Sequence, residues 1–353
     1  MFHNSLSLPS NTRKDSKRSL ATSLRGPAFF VALLFAVAAT ASAQTAGYIY
    51  TYAGNGNAGY VNGLASSAEF NGPEQLGFDG SGNLYVYDSE NFAVRLISPS
   101  GVVTNAAILA GTGGDGIGAI GAMAVDASGN LYVASYNSVF KITPSGAVTT
   151  LATFSGDPDP AGLAVDSAGN VYVGLTNTIV EVTPQGVQST IAGNGSGDCP
   201  TGGGSATGIP VSYVTGMAID SSDNLYYSME TCSLIYKVNL STGIASPVAG
   251  NGLRGFSGDG GSATAAEINV PRGLAIDSNN NLYVADEYND RVRVINSAGV
   301  INTVAGTGNA AYNGDNILAT TADLSSPYGV AVDSQGNVYI SDAGNERIRR
   351  VYE

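Results

Sequence analysis

Aspartates that directly follow a glycine recur along this chain of 353 residues, and carboxylates in such loops are candidate cation ligands. The fullest example, residues 255–261, reads Gly-Phe-Ser-Gly-Asp-Gly-Gly. The five carboxylates of this kind belong to Asp115, Asp157, Asp198, Asp259 and Asp315. Ca²⁺ prefers carboxylate and carbonyl oxygens but takes about six to eight of them, more than one aspartate per loop supplies. Two interpretations stay open: hydrogen bonding within each turn, or a Ca²⁺ site shared by several loops. No motif makes a cofactor a requirement.

Histidine is nearly absent, which limits the chemistry available to this chain. The only histidine is His3, and there is no tryptophan. Imidazole is the usual general base near neutral pH and the commonest metal ligand. His3 lies in a segment that we expect to be removed, so histidine-dependent catalysis is excluded and we assign no catalytic residue.

The first 43 residues have the features of a cleaved secretory signal. A basic stretch ending at Arg25 precedes an apolar run at residues 28–39, and Ala41-Ser42-Ala43 provides a cleavage site. The apolar run is shorter than the roughly 20 residues that a membrane span needs. We therefore expect cleavage after Ala43, no membrane span, and a secreted or periplasmic protein, with the sequence leaving those two compartments open.

The charge of the chain argues against nucleic acid as a partner. The formal net charge is −13, and the signal segment contributes five basic residues and one aspartate, so the remainder carries about −17. Binding to phosphates needs clustered lysine or arginine side chains, and a strongly acidic surface repels a polyanion.

Six similar segments dominate the chain, and each contains an apolar run, an aspartate, a turn and a second apolar run. The repeated aspartates are Asp79, Asp126, Asp166, Asp220, Asp277 and Asp333. Each pair of runs is typical of a β-hairpin, and a third and a fourth strand follow, as in residues 291–295 and 302–306. Four short antiparallel strands repeated in this way predict an all-β, six-bladed β-propeller.

The order of the strands predicts how the ring closes. The chain begins with a strand of the fourth type, residues 48–54, and ends with a strand of the third type, residues 347–351. The N-terminal strand should therefore complete the last blade. Residues 44–353 are then a single domain, and we expect a monomer.

The repeat resembles the NHL family. The fifth copy, residues 273–295, and the sixth, residues 329–351, carry the pattern best, with Asn-Leu-Tyr-Val-Ala-Asp followed by Asn-Asp-Arg-Val-Arg-Val in the fifth. Within these copies we expect Asn289 to cap a tight loop and Arg291 to pair with a carboxylate, with Asn345 and Arg347 doing the same in the sixth. The resemblance implies a propeller but no particular activity, because this fold has many functions.

We call one face of the ring the upper face. It carries the loop that leads into the first strand of each blade and the loop between the second and third strands. Two sets of residues are assigned to this face. Positions that vary between copies at the channel mouth predict a polar ligand site made by Glu74, Thr215, Arg272 and Tyr328. Cys199 and Cys232 fall in two such loops of blade four, so a disulfide is predicted if their Cα atoms come within about 7 Å.

These features favour a binding scaffold for a protein, a peptide or a glycan on the upper face. The alternative is a cation-dependent hydrolase. Gluconolactonase-like hydrolases are also six-bladed and bind a divalent cation through carboxylate and amide oxygens, and Glu74 could supply one such ligand without any histidine.

Overall fold

The computed structural model describes residues 47–109, 117–155 and 160–352. The predicted signal segment, Asp115 and Asp157 lie outside these ranges. Across the described residues, no helix is long and apolar enough to cross a membrane.

Six antiparallel sheets form the blades, and the strands are numbered in chain order after β1 (Tyr48–Ala53), which belongs to blade six. Blades one to three contain β2 (Gly63–Leu64), β3 (Pro73–Phe78), β4 (Leu84–Asp88), β5 (Ala93–Ile97) and β6 (Val102–Ile108); β7 (Ala122–Val125), β8 (Leu131–Ser135), β9 (Ser138–Ile142) and β10 (Val148–Thr153); and β11 (Gly162–Val165), β12 (Val171–Gly174), β13 (Ile179–Val182) and β14 (Gln188–Ala192).

Blades four to six follow the same pattern. They contain β15 (Gly204–Ser205), β16 (Val214–Ile219), β17 (Asn224–Met229), β18 (Leu234–Asn239) and β19 (Ile244–Ala249); β20 (Pro271–Ile276), β21 (Leu282–Asp286), β22 (Arg291–Ile295) and β23 (Ile301–Ala305); and β24 (Ile317–Leu318), β25 (Pro327–Val332), β26 (Val338–Asp342) and β27 (Arg347–Val351). Short 3₁₀ helices occur at Ala65–Ser67, Ser89–Asn91, Ala206–Gly208, Ala263–Ala265, Glu287–Asn289, Ala319–Thr321 and Ala343–Asn345.

The predicted six-bladed propeller and its closure are confirmed. β1 pairs with β27, with Ile49 opposite Val351 and Tyr50 opposite Arg350. The inner strands β3, β7, β11, β16, β20 and β25 contact one another in this cyclic order, and β25 contacts β3. One detail differs from four strands per blade: the two-residue strands β2, β15 and β24 add a fifth, outermost strand to blades one, four and six.

The repeated aspartates organise the turn between the first and second strand of every blade. In blade five, one carboxylate oxygen of Asp277 accepts hydrogen bonds from the backbone N–H groups of Asn279 and Asn281, at 2.9 and 2.8 Å. Its other oxygen accepts from the Asn281 side chain, at 2.8 Å, and from the Tyr283 hydroxyl, at 3.4 Å. These turns define the lower face of the ring, opposite the upper face.

The inner strands close the channel with apolar side chains. Each strand contributes one such residue to the wall: Leu76, Met123, Leu163, Met217, Leu274 and Val330. They leave a central cavity of about 40 Å³, far below the roughly 300–1,000 Å³ of pockets that hold small organic ligands. A ligand the size of a sugar must therefore bind at a surface of the propeller rather than within the channel.

Blades one, five and six each contain a buried arginine paired with a carboxylate. The arginines in these pairs are not the ones expected from the sequence. The arginine that pairs with the carboxylate at the end of the second strand is Arg293 in blade five and Arg349 in blade six, not Arg291 or Arg347. Arg349 and Asp342 are both fully buried, with 3.2 Å between the Nη1 and Oδ2 atoms. The two arginines of each strand are two residues apart and face the same side of the sheet, and the one farther from the loop reaches the carboxylate, as Arg293 does with Asp286 at 3.3 Å. Arg347 instead donates to backbone carbonyl oxygens and lies over the ring of Tyr312.

Blade one carries the same buried pair, although Ala93 stands where blades five and six have Arg291 and Arg347. Arg95 Nη1 lies 2.6 Å from Asp88 Oδ2, and both side chains are fully buried. In blades two to four the corresponding third-strand position is apolar or aromatic, with Phe140, Val180 and Tyr236. Blades five, six and one therefore contain a buried ion pair at this position, whereas blades two, three and four have an apolar or aromatic side chain there.

Candidate functional site

Three of the four predicted mouth residues meet at the upper end of the inner strands. Arg272, the second residue of β20, lies with its guanidinium carbon 5.0 Å from the centre of the Tyr328 ring on β25. Its Nε donates to Glu287 Oε2 at 2.7 Å, and its Nη1 donates to Glu230. Glu74, at the matching position of β3, lies within electrostatic range of Arg272 and Glu287. We call Glu74, Glu230, Arg272, Glu287 and Tyr328 the rim cluster.

The fourth predicted residue, Thr215, is placed differently. It is buried, with 6% of its surface exposed, and its hydroxyl donates to the carbonyl oxygen of Pro271 at 3.2 Å. This bond joins the inner strand of blade four to that of blade five. Thr215 therefore connects two blades beneath the rim cluster.

Sequence reasoning missed Glu230 and Glu287, although a signal for them exists. Each lies ten residues after the repeated aspartate of its blade and directly follows the second strand. The same position in the other blades holds Ser89, Tyr136, Thr176 and Ala343. This second rim position varies between copies as much as the first, and comparing it across the six repeats would have identified both glutamates.

The rim cluster has more negative than positive charge. Two carboxylates, those of Glu230 and Glu287, contact the single guanidinium, and Glu74 adds a third. Burial raises the pKa of Glu74, while a hydrogen bond with Ser89 and the charge of Arg272 act in the opposite direction. Burial also raises the pKa of Tyr328, and the neighbouring charge of Glu74 adds to this effect. Tyr328 is thus a neutral hydroxyl donor beside carboxylate acceptors.

Exposed aromatic side chains lie on the same face as this cluster, on the loops between strands two and three. They are Phe92 in blade one, Tyr136 in blade two and Tyr288 in blade five, with 40%, 76% and 61% of their surfaces exposed. Tyrosine on such loops offers a rigid apolar face together with a polar group. The upper face therefore carries exposed aromatic side chains as well as the charged cluster.

Replacing Glu74 with glutamine is expected to stabilise the protein at neutral pH. The folded-state pKa of Glu74 lies above its unfolded value, so the stabilisation from its neutral form is complete below pH 4.5 and is lost as the pH rises through the folded-state pKa. Glu74→Gln should raise the free energy of unfolding at pH 7 by about 0.5–1 kcal/mol, with no gain below pH 4.5. Urea unfolding at several pH values measures this, and the exposed Glu90→Gln variant is the control. A gain that does not depend on pH would contradict the assignment.

The glycine-linked aspartates do not converge within the described residues. Asp259 lies 2.6 Å from Arg293 Nη2 and accepts from the Thr303 hydroxyl at 2.8 Å. Asp315 lies 3.1 Å from Arg349 Nη2, and Asp198 accepts from the Ser196 hydroxyl. Among residues 47–109, 117–155 and 160–352, no group of three or more histidine, cysteine, aspartate or glutamate side chains could hold a metal ion.

Cys199 and Cys232 are joined in a disulfide, with 5.5 Å between their Cα atoms. The bond ties the loop leading into blade four to the loop between β17 and β18. Cys232 lies two residues from Glu230, so the bond also restrains one side of the rim cluster.

Loss of this disulfide is expected to lower stability. The bond closes a loop with a sequence separation of 33 residues, and removing a bond of this kind costs about 2–4 kcal/mol. Denaturant unfolding of a Cys199→Ser/Cys232→Ser variant measures this. A reducing agent should lower the midpoint of the original protein to that of the variant and leave the variant unchanged. Equal stability with and without the bond would contradict the prediction.

Comparison with known proteins shows to which family this propeller belongs. The sequence model of the teneurin NHL domain matches residues 159–312, and that of the NHL repeat matches residues 324–350. The chain is an NHL-repeat β-propeller. The second match covers β25, β26 and most of β27, the strand that pairs with β1. A sequence search of curated proteins finds no match for this NHL protein.

Solved structures share the fold of this NHL propeller at low sequence identity. An auxiliary nutrient binding protein from Bacteroides ovatus has a TM-score of 0.68 and 18% identity, over 86% of this chain and 76% of its own. A putative gluconolactonase has a TM-score of 0.55 and 11% identity, over 86% and 91%. A catalytically inactive histidine-to-alanine variant of virginiamycin B lyase from Staphylococcus aureus, with quinupristin, has a TM-score of 0.52 and 14% identity, over 82% and 97%. At these identities the likeness establishes the fold alone.

Proposed function

We propose that this NHL-repeat propeller is an exported binding protein that holds a glycan or a peptide on its upper face. The observation that carries the proposal is the rim cluster, whose residues are half-buried at the upper end of a channel too narrow for a ligand. Three carboxylates, one guanidinium and a tyrosine hydroxyl offer acceptors and donors at a single place. Recognition sites commonly combine such polar groups with aromatic surfaces.

The charge of the rim cluster selects the ligand chemistry. Because carboxylates outnumber the arginine, the cluster favours ligands that donate hydrogen bonds, such as sugar hydroxyls or the ammonium groups of a peptide. Charge-assisted hydrogen bonds to carboxylates are about twice as strong as neutral ones. Phe92, Tyr136 and Tyr288 then supply apolar faces for a sugar ring or a peptide side chain. The fold shared with a nutrient binding protein is consistent with a binding role.

A cation-dependent hydrolase remains the second candidate, and Glu74 is the observation that favours it. General acid–base catalysis needs a carboxyl group whose pKa lies closer to the working pH than usual. Burial shifts the pKa of Glu74 in this direction. The shared fold with a putative gluconolactonase provides the reaction class to test, which is the hydrolysis of lactones and esters.

Two measurements on residues 44–353 distinguish these functions. A glycan and peptide array is expected to show binding that weakens about tenfold or more in Arg272→Ala and Glu287→Gln, with Glu181→Gln, remote from the rim cluster, as the control. Retention of the same affinity in both rim variants would disprove the proposed site.

Thermal unfolding with Ca²⁺ and with EDTA tests the second candidate. A binding scaffold without a cation should have the same midpoint in both. A ligand at 100 times its Kd stabilises the folded state by about 2.7 kcal/mol. A rise with Ca²⁺ that is lost in Glu74→Ala would therefore favour the hydrolase, and a lactone and ester screen would follow.

A further inference from the structure

One groove of the described surface lies on the lower face, away from the rim cluster. It lies between blades four and five and has a volume of about 540 Å³. Pockets of roughly 300–1,000 Å³ hold small organic ligands. We call it the lower groove; its walls include Lys237 on β18, the turn at Asn280, and the turn at Ser297.

Two other grooves of the lower face provide an internal comparison. They lie between blades two and three, about 340 Å³, and between blades six and one, about 500 Å³. Each of the three grooves contains one cation beside a tyrosine ring: Lys141 with Tyr132, Lys237 with Tyr226, and Arg350 with Tyr339, at 5.2, 5.6 and 5.2 Å. All three grooves share this pair of a cation and a tyrosine ring. A ligand preference of the lower groove must therefore come from the residues around the pair.

The ammonium group of Lys237 has no carboxylate partner among the described residues. Arg350, by contrast, lies 3.8 Å from Asp333. The nearest repeated aspartate in blade four, Asp220, is already used by its own turn: it accepts from the backbone and side chain of Asn224 and from the Tyr226 hydroxyl. Lys237, like Lys141, is therefore in no ion pair among the described residues, although the Asp220 carboxylate also lines the lower groove.

The lower groove also lacks a proline found in the other two. In blades one to three, a proline in the turn after the third strand lies beside the glycine of the first turn, and a Cβ added at that glycine would lie 3.5–3.6 Å from the proline Cγ. These pairs are Pro99 with Gly82, Pro144 with Gly129, and Pro184 with Gly169. Pro99 and Pro184 line the other two grooves. In blade five the same positions hold Ser297 and Asn280, so hydrogen-bonding groups replace the proline and the glycine.

The remaining walls define the shape of a ligand. Pro247 and the half-buried Val248 provide an apolar side, while Ser222 and Thr264 add hydroxyl groups at the edges. The positive charge fits a carboxylate, and the hydroxyl and amide groups fit a ligand with many hydroxyls. The apolar wall fits a face of C–H groups. A sugar that carries a carboxylate has these three properties together.

We propose that the lower groove is a binding site for an acidic saccharide, with Lys237 contacting its carboxylate and Asn280 and Ser297 contacting its hydroxyls. The site is separate from the rim cluster and does not depend on the function proposed for the upper face. A ligand at the rim and a saccharide in the lower groove would occupy opposite faces of the ring.

Calorimetric titration of residues 44–353 with galacturonate and glucuronate disaccharides tests the proposal. Binding is expected, and it should weaken at least about tenfold for the methyl esters of the same disaccharides, because a charged hydrogen bond to Lys237 is lost. Lys237→Met should cause a similar loss with the acids. If the acids do not bind, or if acids and esters bind equally, the proposal is wrong.

A second variant tests the groove without removing the charge. Ser297→Pro combined with Asn280→Gly introduces the pair that blades one to three carry, and proline suits this second position of a turn. This variant should fold with an unchanged unfolding midpoint and lose acid binding at least about tenfold. Lys141→Met, the matched change in the groove between blades two and three, should retain it. Equal affinity in the double variant, or equal loss in Lys141→Met, would overturn the assignment.

Discussion

A chain that begins at Gly54 instead of Gln44 should lose more than about 5 kcal/mol of unfolding free energy. The shortened chain lacks β1, whose residues Ile49 and Ala53 are fully buried and whose backbone pairs with β27. Burial of one isoleucine contributes about 1.5–3 kcal/mol, and each backbone hydrogen bond adds about 1 kcal/mol. Urea unfolding of the two chains measures the difference.

The lost strand can be supplied separately, which provides the control for this deletion. A synthetic peptide of residues 44–56 should restore the unfolding midpoint of the shortened chain in a concentration-dependent way. A peptide in which Ile49 is replaced by aspartate should not. The exposed edge of β27 should also make the shortened chain associate at high concentration. If the shortened chain unfolds at the same urea concentration as the full one, closure by β1 is not what stabilises the ring.

Replacing Arg349 with methionine is expected to lower the unfolding free energy by about 3–5 kcal/mol. The change leaves the carboxylate of Asp342 fully buried without its charged partner. It also removes the contact with Asp315 and the hydrogen bond to the carbonyl oxygen of Gly314, which hold the preceding loop. Denaturant unfolding at pH 7 gives the size of the effect.

The neighbouring arginine of the same strand is a matched control. Arg350 is 18% exposed, and its pair with Asp333 spans 3.8 Å. Because this longer pair is still partly exposed, it should contribute less than the fully buried pair of Arg349, so Arg350→Met should be milder than Arg349→Met. Equal losses in the two variants would show that β27 responds to any substitution and that the buried pair has no special role.

The fold could be predicted from the sequence because its repeat is local. The aspartate, the turn and the two apolar runs lie within about a dozen residues, and hydrogen bonds such as those of Asp277 stay within one turn. Closure followed from the types of the first and last strands. The pairing of the arginines was predicted wrongly, because β22 and β27 each carry two arginines on the same side of the sheet, and the sequence does not show which of the two reaches the carboxylate.

The candidate site was only partly predictable. Glu74, Arg272 and Tyr328 were found because one rim position varies between copies. Glu230 and Glu287 come from a second loop, and their convergence on Arg272 joins different blades. Thr215 shares the variable position but points into a contact between inner strands. Such contacts depend on the angle between neighbouring blades, which no single repeat encodes.

The pairing of β1 with β27 also determines the order in which this protein can fold. Ile49 and Val351 are about 300 residues apart in sequence and lie opposite each other in one sheet. Contacts between such distant residues form slowly because a long loop must close first. Blades one to five can assemble from neighbouring segments as the chain emerges, while β1 stays without its partner until β27 has been synthesised. Substitutions in β1 that destabilise the ring should then act mainly on the unfolding rate, because this contact forms late.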